Sequence, residues 1–222
     1  MMLNGLFPED VALAWGDSRD ASAELLPGEV ELVANAVPKR QLEFANGREC
    51  ARRALGQLGV ARQALLMAPT REPLWPEGIV GSLTHTNGLC AAVAARASQY
   101  RGLGVDVEPA LPLPENLLSR ICRDEEIARL GAFRALSAGV AARLVFSAKE
   151  ALYKCQFPVT RSFLGFEEVT VELEEDGRFS ARVLLPLPEL ASTPILPGRW
   201  SCRDGFLLTA VWFANDSFAR SA

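Results

Sequence analysis

The 222-residue sequence predicts an α+β fold of two pseudo-related halves, each a long helix packed on a small antiparallel sheet. Three observations carry this expectation. Pro38–Leu58 and about Ala135–Cys155 place apolar residues at helical spacings. The dipeptides Asn87-Gly88, Asp176-Gly177 and Asp204-Gly205 each separate two apolar runs, the pattern of tight antiparallel hairpins. The order of long helix followed by strands then occurs twice, with the proline-rich Ala110–Pro114 between, although the halves share no sequence identity. The expected division is 1–108 and 109–222, with the active site in the cleft between them.

Taken in order, Val11–Trp15 reads as a short buried strand ended by Gly16-Asp17-Ser18. Leu26-Pro27-Gly28 is a turn, and Glu29–Ala36 a short helix. Pro38 suits the first position of the next helix, where its missing N–H has no partner to lose. Gly59 is its stop signal. Leu42, Ala45, Ala51, Leu55 and Leu58 form the apolar stripe of that helix. Thr70–Gly78 is a proline-bounded loop. Ile79–Leu83, Leu89–Ala95 and Leu103–Glu108 read as strands. Asp124-Glu125-Glu126 opens a short helix with its acids at the positive end of the helix dipole. Phe157-Pro158 is expected to end the second long helix. Val169–Leu173, Phe179–Leu184, Arg199–Arg203 and Leu207–Phe213 complete a β-rich tail.

About half the residues are hydrophobic (49%) and 23% are charged, the balance of a soluble globular protein. Apolar runs fall short of the roughly 20 residues that span a bilayer, and Met1–Asp10 lacks the basic and apolar regions of a secretory signal. Cys50, Cys90, Cys122, Cys155 and Cys202 are scattered, odd in number and free of C-x-x-C pairing, which points to reduced thiols in the cytoplasm. The net charge of −4 argues against general nucleic-acid binding. Between Lys39 and Arg53, however, five basic residues stand against two acidic ones. Such a local patch suits a small anionic ligand. Within it, Arg40 and Arg48 are about two turns apart and point the same way.

Three segments carry candidate chemistry. In Gly104-Val105-Asp106-Val107-Glu108, strand alternation turns Asp106 and Glu108 to one face and the valines to the other. Paired carboxylates of this kind suit Mg²⁺; a solvated strand face is the plain alternative. In Phe146–Lys154 (F-S-A-K-E-A-L-Y-K), Glu150 and Lys154 share a helical face. Lys149 and Lys154 are candidate phosphate ligands, against the alternative of an exposed ion-pair face. In Gly81–His85 (G-S-L-T-H), the chain's one histidine lies at the mouth of a sheet. Thr84, Thr86 and local N–H groups add donors of the kind that cradle anions. A hydrogen-bonded structural histidine is the alternative there. No Gly-rich loop ending in Lys-Ser/Thr is present.

The ordered set G-R-E-C-A-R, R-E-P-L-W-P, G-S-L-T-H, G-V-D-V-E and F-S-A-K-E-A-L-Y-K resembles the 4′-phosphopantetheinyl transferase superfamily, in its monomeric Sfp/EntD-type branch, from about Pro38 to Leu164. The resemblance implies Mg²⁺ (or Mn²⁺) held by Asp106, Glu108 and Glu150. It implies coenzyme A as co-substrate, gripped by Arg40, Arg48, Arg71, Ser82, His85 and Thr86, with Asp106 beside it. Lys149 and Lys154 would hold the pyrophosphate, and Glu150, Lys149 and Lys154 would form the catalytic set. Phe146 stands where many members have Trp, and Thr86 where Ser is common. The implied reaction is transfer of the phosphopantetheine arm to a serine of an apo acyl or peptidyl carrier protein, releasing adenosine 3′,5′-bisphosphate. A cytoplasmic monomer without nucleic-acid or membrane partners is expected, its carrier docking on Leu117–Phe133 and Thr160–Phe166. Read from the residues alone, two rivals stand: a Mg²⁺-dependent nuclease or phosphatase using the same three carboxylates, and a non-catalytic module holding an anionic partner on the Lys39–Arg53 helix.

Overall fold

The structure is a computed structural model that describes residues 5–215. Met1–Asn4, part of the segment read for a secretory signal, lies outside the described residues. In chain order the elements are β1 (Ala12–Gly16), α1 (Glu29–Val33), α2 (Pro38–Gln57), β2 (Ile79–Thr86), β3 (Leu89–Arg96), β4 (Tyr100–Pro109), α3 (Glu115–Ile121) and α4 (Asp124–Leu130). There follow α5 (Ala138–Thr160), β5 (Val169–Leu173), β6 (Arg178–Val183), β7 (Ile195–Arg203) and β8 (Phe206–Ala214). Both sheets are antiparallel, with orders β1-β3-β2 and β4-β8-β7-β6-β5.

Three apolar cores stack these elements into four layers. Ala51, Ala54 and Leu55 of α2 pack on Cys90, Ala92 and Ala94 of β3. The opposite face of β3 (Ala91, Val93, Ala95) meets Leu103, Val105 and Val107 of β4 and Leu208 and Ala210 of β8. Beyond the larger sheet, Leu144, Ala148, Ala151 and Leu152 of α5 pack on Leu207, Val211 and Phe213. The layers are thus α2, small sheet, large sheet, α5. Among the described residues no helix is long and apolar enough to cross a membrane.

Two expectations are corrected. Dividing the chain after Glu108 assigned the Asp-x-Glu strand to the first half. Instead β4 is the edge strand of the five-stranded sheet, in register with β8 from Pro109↔Phe206 to Tyr100↔Ala214. The sheets therefore divide between Arg96 and Tyr100, because a partner more than 100 residues downstream captures β4 rather than its sequence neighbour β3. Second, α5 runs through Pro158 to Thr160. Proline removes only the N–H that would reach Lys154's carbonyl, and Arg161, at φ 56°, makes the actual stop. Gly59 (φ 73°) follows α2 as expected.

Gly102 and Gly104 set the distance between β4 and α5. A Cβ on Gly104 would stand 1.8 Å from the carbonyl oxygen of Ala151, and one on Gly102 would stand 2.2 Å from that of Cys155. Only bare backbone lets the helix lie this close to the strand.

Candidate active site

One face of α5 carries Arg143, Ser147, Glu150 and Lys154 at steps of four, three and four, a stripe that α-helical periodicity keeps in line. The face of β4 opposite carries Asp106 and Glu108. Lys154 Nζ donates to Asp106 Oδ1 at 2.6 Å and to Val105's carbonyl at 3.3 Å. Ser147 Oγ donates to Asp106 Oδ2 at 2.9 Å, and Thr84 Oγ1 to Oδ1 at 3.1 Å. Thr209 of β8 braces Ser147, with the hydroxyls 2.8 Å apart. Arg143 Nη1 donates to Glu108 Oε2 at 2.8 Å, and its remaining nitrogens are spent on the carbonyls of Leu111 and Pro112. Asp106 is thus a buried carboxylate met by three side-chain donors from two elements, α5 and β2, not part of a solvated strand face.

Above these residues opens a cleft of about 580 Å³ between α2 and β2 on one side and β4 and α5 on the other. Arg40, Arg48, Arg71, Arg101, Lys154 and Arg161 line it against Glu43, Glu72 and Glu150, so its walls carry net positive charge. Trp75, Tyr153 and Phe157 give it flat apolar surface. Trp75 reaches the wall because Gly81 has no side chain; a Cβ there would stand 2.6 Å from the indole.

Electrostatics differ from group to group. Burial holds the Glu150 carboxyl above its ordinary value; Lys154 opposes the shift, and Asp106 and Glu108 reinforce it. Burial and Asp106 likewise push Glu108 up, against Arg143. Burial, then Arg40, push His85 down, so the ring is neutral and its Nε2 accepts from Arg40 Nη1 at 2.7 Å. Arg48 is buried, lies 4.1 Å over the Phe44 ring and is lowered to about 10 by burial. Its buried Nε has no hydrogen-bond partner.

Of the residues singled out from sequence, Arg40, Arg48, Arg71, Ser82, His85, Glu150 and Lys154 line the cleft. Ser82 is mostly structural, its Oγ accepting from Val105 N–H at 3.1 Å. Thr86 is outside the cleft wall, and its carbonyl accepts from Ser18 Oγ at 2.8 Å. Lys149 is a clear correction. Its side chain is 1% exposed, and Nζ donates to Glu126 Oε2, Ile121 O and Phe166 O at 2.8, 2.8 and 2.9 Å. All three ammonium donors are used away from the cleft, so Lys149 ties α5 to α4. The Lys39–Arg53 patch also disperses. Arg52 is buried against Glu29, and Arg53 donates to Trp15's carbonyl, which leaves Arg40 and Arg48 for the cleft.

Arg143, Ser147, Thr84 as an Asp106 donor, and Glu126 had not been singled out for these roles. Arg143 and Ser147 were findable, since they stand seven and three residues before Glu150 on the same stripe. Glu126 and Thr209 gave no local signal. Phe146 packs on Phe166, with ring centroids 5.7 Å apart.

Among the described residues no three His, Cys, Asp or Glu side chains are grouped closely enough to hold a metal ion. Asp106, Glu108 and Glu150 nevertheless feel one another's charge, and Lys154 and Arg143 partly neutralise them. Hard oxygen donors in mutual repulsion are the ligand type a divalent cation takes, so the chemistry of the three suits one, although their spacing here is wider than a closed metal site.

Two family profiles match the chain: "4′-phosphopantetheinyl transferase N-terminal domain" over residues 28–95 and "4′-phosphopantetheinyl transferase superfamily" over residues 102–201. The join between them falls where the two sheets divide. The 4′-phosphopantetheinyl transferase PptT of Mycobacterium tuberculosis is 41% identical over 211 residues, covering 91% of this chain and 92% of that protein. The 4′-phosphopantetheinyl transferase Svp of Streptomyces mobaraensis is 40% identical over 210 residues, covering 89% and 82%. Enterobactin synthase component D of Salmonella typhimurium is 30% identical over 175 residues, covering 78% and 72%.

Proposed function

Because the chain belongs to the 4′-phosphopantetheinyl transferase superfamily, whose activity moves the phosphopantetheine arm of coenzyme A onto carrier proteins, we propose that the cleft between α2 and α5 is where that transfer occurs and that its charged residues divide the work as follows. Arg40, Arg48, Arg71 and neutral His85 hold the phosphates of coenzyme A from the α2 side. Lys154 holds the pyrophosphate from the α5 side. Asp106, Glu108 and Glu150 would hold Mg²⁺, with Mn²⁺ as an alternative, and the ion when bound supplies charge neutralisation at the pyrophosphate.

The carrier's serine hydroxyl attacks the β-phosphorus, the P–O bond to the α-phosphate breaks, and adenosine 3′,5′-bisphosphate leaves. Glu150 would take the serine proton as well as help hold the ion; burial, which raises its carboxyl above the ordinary value, supports the role of base. Arginines and Lys154, fixed by the fold before substrate arrives, stabilise the oxygens on which charge develops. Trp75 and Tyr153 offer apolar surface to the rest of the coenzyme. The carrier docks along Thr160–Phe166. There Phe163 is 75% exposed, and its ring meets Tyr153 of the cleft wall edge-on at 5.8 Å. Coenzyme A and carrier would be met in the cytoplasm, by a monomer.

The observation that carries this reading is the 2.6 Å pair of Asp106 and Lys154 at the foot of a cleft walled by Arg40, Arg48, Arg71 and His85. Incubation with an apo carrier protein, coenzyme A and Mg²⁺, followed by mass spectrometry of the carrier, tests it. The expected result is the gain of one phosphopantetheine. Phosphoester hydrolysis without that gain, across several apo carriers, would overturn it.

A further inference from the structure

We infer that Lys154 occupies the place of the divalent ion in the empty enzyme, so that the ion and the pyrophosphate must arrive together. The inference rests on the reading of the cleft given above. Asp106 lies just behind the cleft wall, and its Oδ1 already accepts from two residues of that wall, Lys154 at 2.6 Å and Thr84 at 3.1 Å. Oδ2 points inward to fully buried Ser147. Two hydrogen bonds saturate Oδ1, so a cation reaching Asp106 from the cleft has to displace a donor.

Thr84 is buried within β2. Lys154 is the movable one: its side chain is 26% exposed, it lines the cleft, and its second contact is a long one at 3.3 Å. Arg143, which neutralises Glu108, cannot play this part, because backbone carbonyls at 2.7 and 3.0 Å hold the rest of its guanidinium.

Displacing Lys154 without an anion in the cleft takes an ammonium from a 2.6 Å carboxylate partner into a wall of net positive charge. With a pyrophosphate present, the same ammonium turns to it, and the carboxylate is released to the ion. Each ligand therefore raises the affinity for the other, and by linkage the effect is reciprocal.

Mn²⁺ binding followed by electron paramagnetic resonance, with and without coenzyme A and with no carrier, tests the inference. In the wild-type chain, free Mn²⁺ binds weakly and coenzyme A tightens it. In Lys154→Met, Mn²⁺ alone should bind about tenfold more tightly, the scale of one charged hydrogen bond, while coenzyme A binds more weakly and its effect on Mn²⁺ shrinks. Arg101→Gln removes an equal charge from the same cleft without touching Asp106 and should tighten Mn²⁺ less. Lys154→Gln, with its fold checked by circular dichroism, should behave as Lys154→Met. Unchanged or weaker Mn²⁺ binding in both Lys154 variants, or equal tightening in Arg101→Gln, overturns the inference. If the wild-type chain transfers the arm and these affinities do not respond, only this inference fails; absence of transfer would count against the reading of the cleft instead.

Discussion

Lys149 and Glu150 are consecutive, yet they face different compartments: Lys149 Nζ is bound 2.8 Å from Glu126 Oε2 in the core, while Glu150 lines the cleft with Lys154. A helix turns about 100° per residue, so neighbours in a motif need not share a task. Glu126 is itself committed, accepting from the backbone N–H of Arg123 and Val171 at 2.8 and 2.7 Å. Lys149→Ala should therefore cost about 3–5 kcal/mol of stability by leaving a buried carboxylate unpaired, with transfer kinetics of the folded fraction close to wild type at low temperature. Lys154→Ala should lose the rate at a smaller cost in stability, because Ser147 and Thr84 still donate to Asp106 when the ammonium is gone. Denaturant titration beside a transfer assay separates the two; a Lys149 variant that is stable but inactive would return that residue to the chemistry.

Most of the cleft was legible in the sequence because its residues lie in short, ordered stretches. Asp106 and Glu108 follow strand alternation, and Glu150 and Lys154 follow helical spacing; both patterns survive in the structure. Three things were not legible. The sheet to which β4 belongs depends on β8, about a hundred residues away, and no local feature of Gly104–Glu108 announces that pairing. The direction of Lys149 depends on Glu126, whose acidic neighbours Asp124 and Glu125 read equally well as helix-dipole partners. The buried pairing of Arg52 with Glu29 likewise removes a residue from what reads, along the chain, as one basic patch.

Gly104 offers a test of how closely strand and helix must approach. A methyl group there would collide with the carbonyl oxygen of Ala151, which is backbone and cannot swing aside. Gly104→Ala should push α5 off β4, cost about 1–3 kcal/mol or more, and separate Asp106 from Lys154. Activity per folded molecule should fall beyond what the stability loss explains. Gly131→Ala is the control: no atom lies within 4 Å of the added Cβ, and φ is −69°. Equal behaviour of the two variants would mean that the close approach is not what positions the site.

Glu150 and Glu108 give a pH signature. Burial makes both carboxyls harder to ionise in the folded protein than in the unfolded chain. From the ordinary carboxyl range up to the raised folded values, the native state holds protons that the unfolded chain has released, so their contribution to stability falls as pH rises through that window. A divalent ion bound by the ionised carboxylates offsets the loss. Added Mg²⁺ should accordingly raise the melting temperature more at about pH 7.5 than at about pH 5, and Glu150→Gln should flatten the difference. A Mg²⁺ effect of the same size at both pH values would argue that the ion acts elsewhere.

Arg48 combines a buried charge, lowered to about 10 by its burial, with an Nε lacking any partner. Such a group is destabilising in the empty protein and ready for an anion. A phosphate oxygen reaching Nε would supply the missing acceptor in a charge-assisted bond worth about 1.5–3 kcal/mol, or roughly 10- to 150-fold in affinity. Arg48→Met keeps packing against Phe44 and removes the uncompensated charge. It should leave the melting temperature of the empty protein unchanged or higher, and weaken coenzyme A by that factor. Arg48→Lys should not restore affinity, because a point charge cannot reproduce the planar fork. Calorimetric titration of coenzyme A beside thermal melts measures both quantities. A destabilised Arg48→Met that binds coenzyme A normally would assign the residue to the scaffold of α2 rather than to the ligand.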